Sequence, residues 1–173
     1  VKDAAIVATN VWLNETFRGC SQLTIVSIEA KSANVGDRAF ASCTSLSTIV
    51  FPAGTTNIGA SAFSSCTFSE IALPVGLQNV GDSAFAQCTN LQALVFSTNV
   101  TAVGDRAFSG CARLPEVLLP GSIQALGEAA FGGCSSLTNV RFAANGDGRT
   151  AIGASAFAGC SALTDVALSS NVV

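Results

Sequence analysis

The residues with the most chemistry to offer are seven cysteines, Cys20, Cys43, Cys66, Cys88, Cys111, Cys134 and Cys160, spaced 23, 23, 22, 23, 23 and 26 residues apart. Thiols can ligate metals or join as disulfides. A zinc site needs ligands at short spacing such as C-x-x-C, usually with histidine nearby. This chain has no histidine and no two cysteines closer than 22 residues, so no metal site is expected from them. An odd number excludes complete pairing within the chain. Disulfides between stacked neighbours stay conceivable, because the Cα separation could approach the ~5 to 6 Å that a bridge prefers. The regular spacing predicts instead a column of buried thiols, each in the same inward slot and each acting as a small apolar residue.

No other catalytic arrangement is visible. Without His or Tyr there is no Ser/His or Cys/His pair, and the eleven carboxylates sit one at a time rather than in convergent pairs. No catalytic residue, cofactor or enzymatic activity is expected. The recurring I-G-x-x-A-F string is no phosphate loop, since no G-K-[ST] follows it. Asn145-Gly146-Asp147-Gly148 has the look of the start of a calcium loop but lacks the further carboxylates and the closing glutamate. Asn14-Glu15-Thr16 and Asn99-Val100-Thr101 are glycosylation sequons, which matter only in a eukaryotic secretory protein.

The elements that must position these residues follow from the period. A repeat of about 23 residues means stacked units, each too small to bury its own apolar face. Three residues before every cysteine stands a phenylalanine, Phe17, Phe40, Phe63, Phe85, Phe108, Phe131 or Phe157. Its place beside alanine and cysteine makes this column core rather than a stacking platform for bases or sugars. Earlier in the unit a glycine follows an aliphatic residue, and Asp37, Asp82 and Asp105 come next. Their carboxylates are expected to accept backbone N-H groups that open a short helical turn carrying Ala-Phe and Cys. Such a turn is too short to be stable alone and depends on burial against its neighbours.

After the cysteine comes a Ser/Thr column, Ser21, Thr44, Thr67, Thr89, Ser135 and Ser161, interrupted by Ala112, expected to bond local backbone where turn meets strand. Then Leu91-Gln92-Ala93-Leu94-Val95-Phe96 typifies a segment ending in period-two alternation, a short strand with Leu94 and Phe96 facing in and Ala93 and Val95 facing out. Pro52, Pro74 and Pro120 end three such strands. Two irregularities mark loops: one residue is missing between Cys66 and Ile71, where Phe68 takes the leucine slot, and three are inserted within 143–150.

Stacked in parallel, the strands would present two outward columns. The first reads Ile25, Thr48, Glu70, Ala93, Glu116, Asn139, Asp165, and the second Ser27, Val50, Ala72, Val95, Leu118, Arg141, Ala167. Four successive apolar residues, Val50, Ala72, Val95 and Leu118, then lie beside Glu70 and Glu116. An exposed apolar stripe rimmed by charge suits a protein-binding surface, although small β-formers also simply favour strands. The candidate ligand-binding residues are Val50, Glu70, Ala72, Val95, Glu116, Leu118, Asn139 and Arg141.

Composition narrows the partners. The 173 residues are 49% hydrophobic and 11% charged, which excludes wholesale disorder. Net charge is −3, with the eight Lys and Arg scattered, so nucleic acid is not an expected partner. Every apolar run is broken well before the roughly 18 residues of a membrane helix, so no membrane insertion of this segment is expected. The fold expected is an α/β solenoid over residues 1–173, right-handed, with a parallel β-sheet on one face and short helical turns on the other. Residues 1–16 form a degenerate first repeat or cap, some six and a half units of 22–26 residues follow, and Ser169-Ser170-Asn171-Val172 resembles Ser97-Thr98-Asn99-Val100, as if the chain stops in mid-repeat.

Val103 to Pro120 (VGDRAFSGCARLPEVLLP), with Val35 to Pro52, Ile58 to Pro74 and Leu126 to Phe142, resembles the BspA-like leucine-rich repeat, I-G-x-x-A-F-x-x-C-x-x-L-x-x-I-x-L-P. The resemblance covers Val11 to Val173, and departs at Phe68, at Ser97, Ala143 and Ser169 in place of proline, and in the 26-residue unit. It implies a cell-surface or secreted protein of a bacterium or protist, with a non-enzymatic role in adhesion to protein or glycan ligands. The alternative is an intracellular scaffold that uses the repeats as a rigid spacer, with free thiols reflecting a reducing compartment.

Overall fold

The structure, a computed structural model, describes residues 3–6, 10–29, 32–52, 54–143 and 149–168. Each coil contributes one strand to each of two parallel ladders. The first ladder holds β1 (Asp3–Ile6), β3 (Ile25–Ile28), β5 (Thr48–Val50), β7 (Glu70–Ala72), β9 (Ala93–Val95), β11 (Glu116–Leu119), β13 (Asn139–Phe142) and β15 (Asp165–Ala167). The second holds β2 (Asn10–Trp12), β4 (Ser32–Asn34), β6 (Asn57–Ile58), β8 (Asn79–Val80), β10 (Ala102–Val103), β12 (Ala125–Leu126) and β14 (Ala151–Ile152). All pairings are parallel and place equivalent residues of successive coils side by side, as in Ile25 with Thr48 and Ala102 with Ala125. Residues 1–16, expected as a degenerate first repeat or a cap, include β1, paired to β3, and β2, paired to β4.

The expected helical turns are not there: among the described residues the structure has no helix, and the fold is a β-solenoid. The backbone shows why. Within the segment from Gly36 to Cys43, Arg38 and Ser42 have left-handed φ of 51° and 61°, so no right-handed helical run can form. Alternate N-H groups bond in different directions. Ala41 and Cys43 donate to the carbonyls of Arg38 and Phe40 within the coil, whereas Arg38, Phe40 and Ser42 donate to Ala60, Ala62 and Ser64 of the next coil, all at 2.8 Å. The turn segments therefore form a third inter-coil column of hydrogen bonds, which satisfies amides that a helix would have paired internally.

Equivalent slots lie over one another inside. Phe40, Phe63, Phe85, Phe108 and Phe131 are fully buried, and successive rings from Phe17 to Phe157 are near-parallel with centroids 5.2–5.8 Å apart. That separation is an offset stack, each contact adding about 0.5–1.5 kcal/mol to the ring's burial. Phe68 turns edge-on to Phe63 and Phe85 and fills the space left by the missing residue. One apolar cluster runs from Leu13 to Cys160.

Polar side chains tie coil to coil. The carboxylates of Asp37, Asp82 and Asp105 accept not from their own turn, as expected, but from the next coil's Ala60, Asp105 and Glu128 N-H groups, at 2.7–2.9 Å. Three members of the Ser/Thr column likewise reach the preceding coil rather than local backbone: Thr67, Ser135 and Ser161 donate to Leu46, Ala112 and Ser135 carbonyls. The calcium-like string at 145–148 and the repeat start at 169–172 lie outside the described residues.

Candidate functional site: an interrupted strand face

The first ladder presents the outward columns. Val50, Val95 and Leu118 are 52%, 61% and 59% exposed, Glu70, Ala72, Glu116 and Arg141 are exposed, and Asn139 is half-buried. Register pairs Ala72 with Val95, Glu116 with Asn139, and Leu118 with Arg141. The eight candidate residues therefore share one face.

They do not form one unbroken sheet. Ladder hydrogen bonds join β1-β3-β5, β7-β9 and β11-β13-β15, and among the described residues no backbone bond joins β5 to β7 or β9 to β11. Val50 with Ala72, and Val95 with Leu118, face each other across seams. The second ladder runs unbroken from β6 to β14.

Both seams have local causes. In closed coils the fourth residue after cysteine donates its N-H to the preceding coil, as Ser47 does to Thr24 O, Gln92 to Ser69 O and Thr138 to Pro115 O. In the coil after Cys111 that residue is Pro115, which has no N-H to give. In the coil after Cys66 the missing residue draws the chain in early, and Thr67 bonds Leu46 O with both its N-H and its hydroxyl. The deletion was visible in the sequence as a loop irregularity; Pro115 was the second signal, readable only once its repeat position was compared with Ser47, Gln92 and Thr138.

Each seam opens into a slot in the strand face. The first, about 360 Å³, lies among Ser47, Ile49, Glu70, Ala72 and Val95. The second, about 350 Å³, lies among Gln92, Leu94, Val95, Pro115, Glu116 and Arg141. The inward residues of the strands that precede the seams, Ile49 and Leu94, are only half-buried, whereas Val26, Ile71, Val117 and Val140 are buried. The slots thus reach the edge of the core.

Elsewhere the chemistry is quiet. Six of the seven free cysteines are buried; Cys20, in the first described coil, is exposed, contrary to the expected uniform column. The buried thiols are not merely apolar. Sγ of Cys43, Cys66, Cys88, Cys111, Cys134 and Cys160 each donates to the phenylalanine carbonyl of the preceding coil at 3.0–3.4 Å. Burial pushes the Cys88 thiol up to about 12 and raises Cys43, Cys66 and Cys111 as well, which suppresses the nucleophilic thiolate. On the turn side, Glu15 is paired with Arg18 and Arg38, which lower its pKa, and Arg106 with Glu128. The sequon residue Asn99 uses its amide Nδ2 to donate to Val75 O. Among the described residues no group of metal-ligating side chains converges, and no helix is long and apolar enough to cross a membrane.

Comparison with known proteins places this geometry. A leucine-rich repeat protein of T. pallidum is 28% identical, with a TM-score of 0.84 over 94% of this chain and 78% of its own. A leucine-rich repeat protein from Bacteroides ovatus has the same fold at 19% identity and a TM-score of 0.59, over 99% of this chain and 69% of its own. The pneumococcal vaccine antigen PcpA also shares the fold, at 20% identity and a TM-score of 0.58, over 99% of this chain and 57% of its own. No curated protein matches the sequence at a significant level. The family model for the BspA type leucine rich repeat region matches residues 13–138 and 91–173. With that match along nearly all of its length, and with coils stacked as its repeats require, the chain belongs to the BspA type leucine-rich repeat family.

Proposed function

We propose that this chain is a non-enzymatic recognition module of a cell-surface or secreted protein, and that it binds a protein ligand over the strand face. The observation that carries the reading is the exposure of Val50, Val95 and Leu118, each more than half open to solvent, on a face whose side-chain directions are set by strand alternation. Glu70, Glu116 and Arg141 rim this stripe, which gives the mixture of apolar centre and charged margin found in protein interfaces. Leucine-rich repeats commonly serve as interaction modules, and family membership supports the same role here. A protein suits the face better than a glycan does, because its two outward columns hold no aromatic residue to stack on a sugar ring.

The intracellular-scaffold reading draws on the unbridged thiols. Burial accounts for six of these in either compartment, so they do not favour it. The test is a binding survey against immobilised matrix, plasma and cell-surface proteins, followed by Val95→Glu and Leu118→Glu. Both variants should fold normally and weaken binding to any ligand found by at least tenfold. Unchanged affinity would place the binding surface elsewhere.

A further inference from the structure

We infer that the two seams are twin receptors for basic side chains of a protein ligand, a lysine or arginine entering each slot. This inference rests on the strand-face reading and names the ligand chemistry within it.

In closed coils a single carbonyl takes two bonds from the next coil: Thr24 O accepts Ser47 and Thr48 N-H, and Ser69 O accepts Gln92 and Ala93 N-H. The equivalent carbonyls at the seams are Ser47 O and Gln92 O, and among the described residues neither receives a backbone hydrogen bond. Ser47 and Gln92 line the slots, and each slot is lined on the opposite strand by a glutamate, Glu70 in the first and Glu116 in the second. A carbonyl without a backbone donor, in a slot also lined by a glutamate, calls for a cationic donor. The walls continue the match. Ile49, Ala72 and Val95 line the first slot, and Leu94, Val95 and Leu118 the second, so the alkyl stem of the incoming side chain would lie on apolar surface.

Asn139 lines the second slot as well. Oδ1 of Asn139 is buried without a hydrogen-bond partner, the only such side-chain atom among the described residues. Against it, Arg141 stands on the far wall and partly offsets Glu116, so the first slot is the stronger cation receptor. Across the two outward columns, acidic groups outnumber basic ones: Asp3, Glu70, Glu116 and Asp165 in the first against Arg141 alone in the second. Glu70 and Glu116 are two strands apart, and at 4.7–4.9 Å per paired strand about 10 Å is the lower bound, since the β9–β11 seam is not closed by ladder bonds. A polyproline II peptide with arginine at every third position repeats at about 9.3 Å and can fill both slots at once.

The experiment uses the 173-residue chain and the probe peptide acetyl-PPRPPRPPRPP-amide, followed by NMR of the backbone amides. The peptide should shift resonances in β7, β9 and β11, and the interaction should weaken with salt. Replacing arginine by citrulline should weaken binding roughly tenfold. Glu70→Gln should weaken it roughly three- to tenfold, and Glu116→Gln by less. Equal binding of the citrulline peptide, or indifference to both Glu variants with the footprint still on the face, would overturn the receptor assignment and leave the strand-face reading standing. A footprint away from β7–β11 would count against both. Absence of binding at millimolar peptide would overturn the assignment.

Discussion

Each buried thiol makes its bond to the coil below it, and this decides how the cysteines respond to reagents. A thiol that donates to a carbonyl, with its pKa raised by burial, offers almost no thiolate. Native protein should therefore show Cys20 reacting rapidly, with Cys43, Cys66, Cys88 and Cys111 protected, and all seven thiols only after unfolding without reductant. Fewer than seven in the unfolded chain would mean bridges. Glycines divide in the same residue-level way. An alanine Cβ at position 104 would sit 2.7 Å from Asp82 N and 2.8 Å from Gly81 C, backbone atoms that cannot move aside. Gly104→Ala should cost about 2–3 kcal/mol in urea unfolding. Gly133 has φ of 74°, and the atom nearest to an added Cβ there, Gly110 N, is 3.8 Å away, an ordinary contact distance. Gly133→Ala should therefore cost only about 1 kcal/mol. Equal costs would mean that the coils are not in close contact at the first glycine.

At the scale of the element, the strands were legible because a period of two over four residues leaves little freedom in which side chains face out. Leu94 and Ala93 went where the alternation put them, the former half-buried and the latter exposed. The turns were not legible as they are, because Gly-Asp-Arg-Ala-Phe looks like a capped helix start. The left-handed conformation of Arg38 and Ser42 is imposed by bonds to Ala60 and Ser64 of the next coil, and no local signal announces it. The seams were half legible: the missing residue after Cys66 was plain, whereas Pro115 sat unremarked among strand residues. Restoring an N-H there should close the second seam. Pro115→Thr, the residue found at the equivalent positions 138 and 164, should slow hydrogen exchange at Glu116 by an order of magnitude or more. Stability is the poorer readout, since a new hydrogen bond of about 0.5–1.5 kcal/mol is offset by the freedom an unfolded chain regains without proline. Unchanged exchange at Glu116 would show that proline is not what holds the seam open.

For the whole molecule, identical slots stacked coil on coil explain both the continuous core and the graded exposure at its ends, where Phe17 and Phe157 are half-buried while the five rings between them are fully covered. The same stacking keeps the second ladder unbroken from β6 to β14 and lets the first divide into three blocks, and the proposed receptor slots depend on that asymmetry. Residue-resolved hydrogen exchange of the native chain tests it most directly. Slow exchange is expected at Ser47, Thr48, Gln92 and Ala93, whose amides bond the preceding coil, and at Asn79, Ala102 and Ala125 along the second ladder. Fast exchange is expected at Glu70 and Glu116, the equivalent amides at the seams. Uniformly slow exchange along the strand face, with Glu70 and Glu116 as protected as Thr48 and Ala93, would contradict the division of the sheet and the slots that depend on it.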